Sequence, residues 1–299
     1  MNLGVKYISG QLLLLFFLLS CVPSDDIDHD ISLSIYSSNL KKHQSAAVYG
    51  NDVFFVTDRR TRIYIYNLLE RQFVDSIVLP SRNDKTPGGY TLYHCNQCSF
   101  GSSFYSHEDA IPLLYISQRS RTDNRCFTEA YRILRNTDNC KYSAKLVQTI
   151  YFPVASEGNS LGNVNVVFDT EMNKMFTYSR NNDTLATNYN ICRISCFNIP
   201  SINEKDVFLS DDDVLYSFPI NCSAVNMQGG CINNGLLFIG QGVTEPLLRI
   251  VDLNTKSLIT TYNIKKQGYK FEPEGCFWYD SKVMLCSKNT IYQVKFTNK

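Results

Sequence analysis

The chain has 299 residues, of which 44% are hydrophobic and 19% are charged, so it has enough apolar side chains for a sizeable core and is not of the disordered class. Its 29 basic and 28 acidic residues leave a formal net charge of +1, which argues against binding to a nucleic-acid backbone or to an anionic membrane surface through charge. The length fits one large all-β domain or two average domains.

The first twenty residues have the features of an export signal. Lys6 supplies a weak positive region, and Leu12–Leu19 is an unbroken apolar run that is too short to span a bilayer. Leu18-Leu19-Ser20-Cys21, at the end of this run, resembles a bacterial lipobox, whose cysteine is lipidated and becomes the first mature residue. The sequence therefore predicts a signal peptide at residues 1–20 and a lipid anchor on Cys21. An ordinary signal peptide with an incidental cysteine is the alternative.

Residues 21–30 are acidic and polar, which is typical of a flexible tether. Acidic residues directly after a lipidated cysteine also resemble the surface-export signal of Bacteroides-type lipoproteins. This resemblance implies a location in the cell envelope, at the outer membrane or the cell surface. Residues 31–299 are predicted to form a single domain.

Short runs rich in Val, Ile, Phe and Tyr, bounded by Asn, Asp, Gly and Ser, recur along that domain and are typical of antiparallel strands. Val48–Val56, Cys231–Ile239 and Phe277–Leu285 each contain two such runs separated by a tight turn. Units of this kind start near residues 44, 94, 163, 226 and 272. Four-stranded units that recur every 45 to 65 residues, roughly, predict a β-propeller.

The last unit is incomplete, because only three strands precede the end of the chain. Ile31–Tyr36 alternates apolar and polar residues and has no partner before the first unit. Since an open sheet edge presents unpaired backbone groups, we expect this N-terminal strand to complete the last blade. The predicted fold class is therefore all-β, a propeller of five blades closed by the N-terminal strand, with a sixth blade within residues 180–215 as the alternative.

Two motifs resemble known propeller families. His94-Cys95-Asn96 with Phe100-Gly101, followed by Pro112–Ser117, resembles blades of uncharacterised propeller lipoproteins of Bacteroidetes. Glu272-Pro273-Glu274-Gly275 resembles the blade openings of five- and six-bladed propellers, which include hydrolases, glutaminyl cyclases and proteins without a known activity. The resemblance implies the fold and leaves the reaction open.

Polar residues stand at the predicted start of each innermost strand, where the strands of a propeller converge on the central channel. They are Gln44, His94, Asn96, Asn163, Asn165, Asn226, Gln228, Glu272 and Glu274. A spacing of two within each pair predicts that both side chains point to the same side of a strand. This convergence predicts a ligand site at one end of the channel. Structural hydrogen bonding to water and between blades is the alternative interpretation.

Two functions fit this pattern. The first is a binding or scaffold module for an extracytoplasmic glycan, peptide or protein, at the central funnel or at the loops 117–126 and 179–190. The second is an exported hydrolase or cyclotransferase, with Glu274 as acid/base and with His94 and Asn96 or Asn165 orienting the substrate. The predicted ligand-binding residues are Asn96, Asn163, Asn165, Gln228 and Glu272. No nucleophile elbow or phosphate loop is present in the sequence, so catalysis stays open. The carboxylate and amide oxygens would suit calcium in the channel.

Ten cysteines remain besides Cys21. Export permits disulfides, but the sequence does not give their connectivity, and several of these residues lie in strand-like runs. We expect buried or disulfide-linked cysteines rather than catalytic ones, since Cys95-x-x-Cys98 lacks the βαβ context of a redox motif. His43 and His107 are predicted to be surface residues of loops.

Overall fold

The computed structural model describes residues 30–58, 62–79, 92–120, 126–153, 164–180, 191–203, 205–224 and 226–297. The predicted signal peptide, Cys21 and the tether up to residue 29 lie outside the described residues. So do residues 121–125, which are half of the first predicted recognition loop, and residues 181–190, which are most of the second. Across the described ranges, no helix is both long enough and apolar enough to cross a bilayer.

The described strands form five sheets, each of which is one blade. The first strand of the chain, β1 (Asp30–Ser37), belongs to the last blade. Blade I contains β2 (Ser45–Tyr49), β3 (Asp52–Val56), β4 (Arg62–Asn67) and β5 (Gln72–Val78). Blade II contains β6 (Leu92–Phe100), β7 (Leu114–Ser120), β8 (Cys126–Arg135) and β9 (Tyr142–Tyr151).

Blade III contains β10 (Asn165–Asp169), β11 (Lys174–Arg180), β12 (Ile191–Asn198) and, after the short strand β13 (Val207–Phe208), β14 (Val214–Ser223). Strand β13 itself pairs in parallel with β9 of blade II. Blade IV contains β15 (Met227–Asn233), β16 (Leu236–Gln241), β17 (Leu247–Asp252) and β18 (Ser257–Asn263). Blade V contains β19 (Gly275–Tyr279), β20 (Lys282–Ser287) and β21 (Thr290–Thr297), with β1 outermost. Two short 3₁₀ helices cover Asp211–Asp213 and Ile264–Gln267.

The N-terminal strand closes the ring. β1 runs antiparallel to β21, with Ile31 opposite Phe296 and Ile35 opposite Tyr292. The predicted five-bladed propeller and its closure are thereby confirmed. The sixth-blade alternative is wrong, because the described strands of that region join other blades: β12 and β14 belong to blade III, and β13 pairs with β9 of blade II.

The tight turns between the first two strands of a blade follow from local residue chemistry. Asn234 and Gly235 join β15 to β16 with φ values of 49° and 71°, and Asp280 and Ser281 join β19 to β20 with φ values of 49° and 58°. Two consecutive positive φ values match the twist of the flanking strands in a two-residue hairpin. The hairpin registers are therefore set by the sequence.

The buried side chains lie between neighbouring blades. In one cluster, Phe54 and Ile65 of blade I pack with Leu114 and Ile116 of blade II. Four further clusters join the remaining neighbouring pairs, including blades V and I. Each blade therefore buries both of its faces, and the hydrophobic effect stabilises the ring as a whole.

Candidate functional site

The innermost strands β2, β6, β10, β15 and β19 contact one another in a closed ring around the central axis. We call the end where these strands start the entrance, and the end where they finish the exit. Both ends gather side chains from several blades, because every blade contributes one inner strand.

At the entrance, two carboxylates and two amides form one network. The Nε2 atom of Gln44 donates to Oε2 of Glu274 at 2.5 Å and lies 3.5 Å from Oε1 of Gln228. The Nε2 atom of Gln228 in turn donates to Glu272. These four residues, here called the entrance cluster, link blades I, IV and V.

Burial raises the pKa of Glu274 to about 8. Burial is the largest cause of this shift, the negative charges of Glu272 and Asp58 act in the same direction, and the positive charge of Lys42 opposes them. A carboxyl group with such a pKa exchanges its proton near neutral pH, which is what general acid/base chemistry requires. The entrance cluster is therefore able to donate or accept a proton.

The two glutamates converge through a turn and not through strand alternation. Both precede β19, and the backbone N–H of Glu274 donates to the carbonyl of Glu272 at 3.1 Å. The predicted same-side strand pair is therefore wrong for these residues. The structure nevertheless brings them together with Gln228, as the sequence analysis expected.

The other predicted entrance residues differ in their placement. Asn165 is buried, and its Nδ2 atom donates to the carbonyl of Met227 at 3.4 Å, while its Oδ1 atom has no hydrogen-bond partner among the described residues. Asn226 takes a φ of 54° in the turn before β15. Asn163 and the side chain of His94 lie outside what the structure describes, so their roles stay predictions.

Asn96 is the extra residue of a β-bulge. In the pairing of β6 with β7, Cys95 lies opposite Gln118 and Gln97 lies opposite Ser117, so the register shifts across Asn96. Since one extra residue reverses the alternation of side chains beyond it, the spacing of two does not by itself set the side that Asn96 faces, and its predicted pairing with His94 stays a prediction. Asn96 is half-buried, and its ligand-binding role stays a prediction.

The bulge places Gln97 across the axis, a position that the sequence does not predict. Its Nε2 atom donates to the carbonyl of Gly230 at 2.7 Å, and its Oε1 atom accepts from the N–H of Gly230 at 3.0 Å. These bonds join blade II to blade IV, which are not neighbours in the ring. No local sequence signal distinguishes Gln97 from an ordinary strand residue.

The inner strands approach closely beside Gln97. A Cβ atom at Gly229 would lie 2.5 Å from Cα of Gly275, which is closer than real contacts allow. Only glycine permits this approach of β15 to β19. The amide of Gln97 and this backbone contact separate the entrance from the exit.

At the exit, the inner strands surround a pocket of about 430 Å³, here called the exit pocket. Its aromatic side chains are Tyr49, Phe100, Phe104, Phe168, Phe277 and Trp278. The thiols of Cys98, Cys231 and Cys276 also line it. All five inner strands contribute, so no single segment of the sequence marks this pocket.

Metal binding has little support in the described residues. No group of three or more His, Cys, Asp or Glu side chains is placed there to hold a metal ion. The predicted calcium, which would be held by carboxylate and amide oxygens, stays a prediction.

His43, which precedes the entrance cluster, corrects a surface prediction. It is only 2% exposed, its ring packs 4.4 Å from that of Phe55, and its Nδ1 atom lies 2.9 Å from the carbonyl of Lys41. Burial lowers the pKa of His43 to about 4. The sequence predicts a loop histidine because the contact of His43 with Phe55 forms only in the folded chain. His107 is exposed, as predicted.

No protein-family model matches the chain, and no curated protein matches it. Among solved structures, 707 chains match, and one is the crystal structure of the glutaminyl cyclase of Myxococcus xanthus. That protein is 10% identical, with a TM-score of 0.46 over 89% of this chain and 94% of that chain. A likeness at this level says nothing about activity. The assignment as a five-bladed propeller depends on the chain's own strand order.

Proposed function

We propose that the chain is an exported binding module, anchored through a lipid on Cys21, that takes a peptide in its exit pocket. The observation that carries this proposal is the aromatic lining of a pocket built by all five blades. Its volume of about 430 Å³ is within the usual range for ligand sites.

The chemistry of the lining favours a peptide over a glycan. Six of the lining side chains are aromatic, and no charged side chain is among the described lining residues. The polar groups are the indole N–H of Trp278, the hydroxyls of Ser99, Ser102 and Thr170, and the hydroxyl of Tyr49, which already donates to the carbonyl of Ala110. A glycan carries many hydroxyls that need hydrogen-bond partners once they are buried, and these side chains supply few. A neutral aromatic or aliphatic side chain of a peptide fits the pocket better.

The pocket is also held in one shape. Its walls are inner strands that are hydrogen-bonded within their blades, and its floor includes Gly230, which Gln97 binds through two hydrogen bonds. A preformed pocket loses little conformational entropy on binding, so more of the contact energy contributes to affinity.

Trp278 gives a direct test, because it is the one tryptophan in the sequence and it lines the exit pocket. We would titrate the full chain with short neutral peptides that carry a central Phe, Tyr or Leu, and follow Trp278 fluorescence and calorimetry. Binding should change the emission of Trp278.

The matched variants are Phe104→Ala, on the pocket rim, and Phe208→Ala, outside the pocket; these side chains are 45% and 57% exposed. Phe104→Ala should weaken binding about tenfold, as loss of an aromatic contact does, and Phe208→Ala should leave it unchanged. If no peptide binds, or if both variants bind like the unmodified chain, the exit pocket is not a peptide site.

The anchor has its own test. The Cys21→Ala variant should move from the membrane fraction to the soluble fraction after export, because a lipidated cysteine supplies the attachment. Unchanged membrane fractionation would rule out the lipid on Cys21.

A second candidate function is favoured by the entrance cluster. There the chain would act as an exported hydrolase or cyclotransferase, with Glu274 transferring the proton. The pKa of about 8 for Glu274, next to a second carboxylate, supports this candidate.

For any substrate found by screening, Glu274→Gln should lower turnover at least a hundredfold, on the order of the usual acid/base contribution. The exposed Glu245→Gln is the matched control and should be fully active. Full activity of the Glu274→Gln variant would remove this candidate.

A further inference from the structure

Two thiols from neighbouring blades meet in the wall of the exit pocket. The Sγ atoms of Cys231 on β15 and Cys276 on β19 lie 3.3 Å apart. Cys231 is half-buried and Cys276 is buried, and both line the pocket. We propose that Cys231 and Cys276 form a reversible disulfide that joins blade IV to blade V.

The backbone holds these two cysteines near each other. Gly229 and Gly275, which lie two residues and one residue before them, bring β15 and β19 into closer contact than side chains would allow. Strand pairing within each blade fixes both backbones, with Cys231 opposite Phe238 and Cys276 opposite Leu285. The sulfur atoms therefore need to move by little more than 1 Å, roughly, to reach disulfide bond length.

The third thiol that lines the pocket, that of Cys98, is hydrogen-bonded to residues of blade I. The hydroxyl of Ser45 donates to Sγ of Cys98 at 3.2 Å, and this thiol donates to the carbonyl of Phe54 at 3.8 Å. Cys98 is thus held towards blade I, away from the pair. Cys192 and Cys222, which also interact, both belong to blade III and do not line the exit pocket.

The oxidation needs an external disulfide, such as oxidised glutathione or a thiol–disulfide oxidase, and the pocket gives access to Cys231. The Cys231 thiolate attacks one sulfur of the external disulfide, forms a mixed disulfide and releases one thiolate. Cys276 then loses its proton, attacks the sulfur of Cys231 and releases the second thiolate. In total, the two cysteine thiols lose two electrons and two protons and become one disulfide. The external disulfide takes up these electrons and protons and becomes two thiols.

The order of these steps follows from burial. Burial raises the pKa of the Cys276 thiol well above its usual range, so its thiolate is scarce. Cys231, which is half-buried at the pocket surface, is therefore the attacking group, and Cys276 is the resolving group.

Peptide mapping tests the proposal on the full chain without any variant. After incubation with oxidised glutathione and blocking with N-ethylmaleimide, digestion without reductant should give one peptide that links Cys231 to Cys276. A dithiol reductant should restore both thiols. Because the disulfide closes a long loop between two blades, the oxidised chain should melt about 5 °C higher.

Serine variants distinguish the attacking role of Cys231 from the resolving role of Cys276. In Cys276→Ser, Cys231 should retain glutathione as a stable mixed disulfide, because no resolving thiol is present. In Cys231→Ser, neither product should form at these positions. The control Cys192→Ser, in blade III, should form the Cys231–Cys276 link as the unmodified chain does.

The proposal is wrong if Cys231 and Cys276 stay as separate thiols while the exposed Cys140 carries glutathione. It is equally wrong if Cys231 links to another cysteine. The mapping of the unmodified chain decides this even where a serine variant fails to fold, and it does not depend on peptide binding.

Discussion

The two ends of the central axis are built from the same five strands but have opposite chemistry. At the entrance, Gln44, Gln228, Glu272 and Glu274 form a hydrogen-bonded network of carboxylates and amides. At the exit, aromatic rings and thiols line a pocket of about 430 Å³. The entrance cluster and the exit pocket are therefore two separate candidate sites on one axis, and each needs its own test.

The separation has a defined structural cause. Gln97 crosses the axis to Gly230, and Gly229 lies against Gly275, so blades II, IV and V are in direct contact between the two ends. Charge at the entrance is therefore kept apart from the apolar exit, which lowers the cost of burying each kind of group.

The largest expected effect on stability comes from Gly229→Ala, which would disrupt the contact between β15 and β19. Its new Cβ atom would lie 2.5 Å from Cα of Gly275, and backbone yields less easily than a side chain. We expect the free energy of unfolding to fall by about 3 kcal/mol or more, measured by urea denaturation. Gly50→Asn, in an open turn with a φ of 58°, should change it by less than about 0.5 kcal/mol. A Gly229→Ala variant as stable as the unmodified chain would show that the blades can separate at the axis.

A smaller effect should appear in acid, at His43 beside the entrance. Because its pKa is lowered from 6.5 to about 4 in the folded chain, the unfolded chain binds this proton more readily. The contribution of neutral His43 is therefore present above pH 6.5 and is lost as the pH falls towards 4, by about 3 kcal/mol. The His43→Asn variant should show a correspondingly shallower loss between these pH values. Parallel stability curves for the two proteins would contradict the burial of a neutral His43.

The smallest effect should appear at Glu274 and has the opposite sign. Its pKa rises from 4.5 to about 8 on folding, so the folded chain binds the proton more tightly. Stability from this group is full below pH 4.5 and is lost as the pH rises through 8, on the order of 1 kcal/mol given its partial exposure. Glu274→Gln should flatten this slope in thermal melts, while Trp278 fluorescence at the exit stays constant with pH. If Trp278 emission followed the titration of Glu274, the two ends would be coupled.

The sequence predicted the repeat and the closure because both depend on local patterns. Alternating residues at Ile31–Tyr36 and turn residues such as Asn234 and Gly235 encode strands and hairpins within a few positions. The convergence of Gln228, Glu272 and Glu274 was also predicted, since inner strands of a propeller start at one face. The turn that joins the two glutamates was not, because it depends on the approach of blade V to its neighbours.

The sequence by itself determined the strand pattern of the described domain and the polar start of its inner strands. Tertiary structure alone decided that Gln97 and not Asn96 crosses the axis, because a single bulge reverses which side chains face inward. It also decided the meeting of Cys231 with Cys276 and the aromatic exit pocket, whose residues come from all five blades. The physical reason is that most strand pairs of the blades join neighbours in sequence, whereas the side chains that meet at the axis are set by how closely five separate backbones can pack.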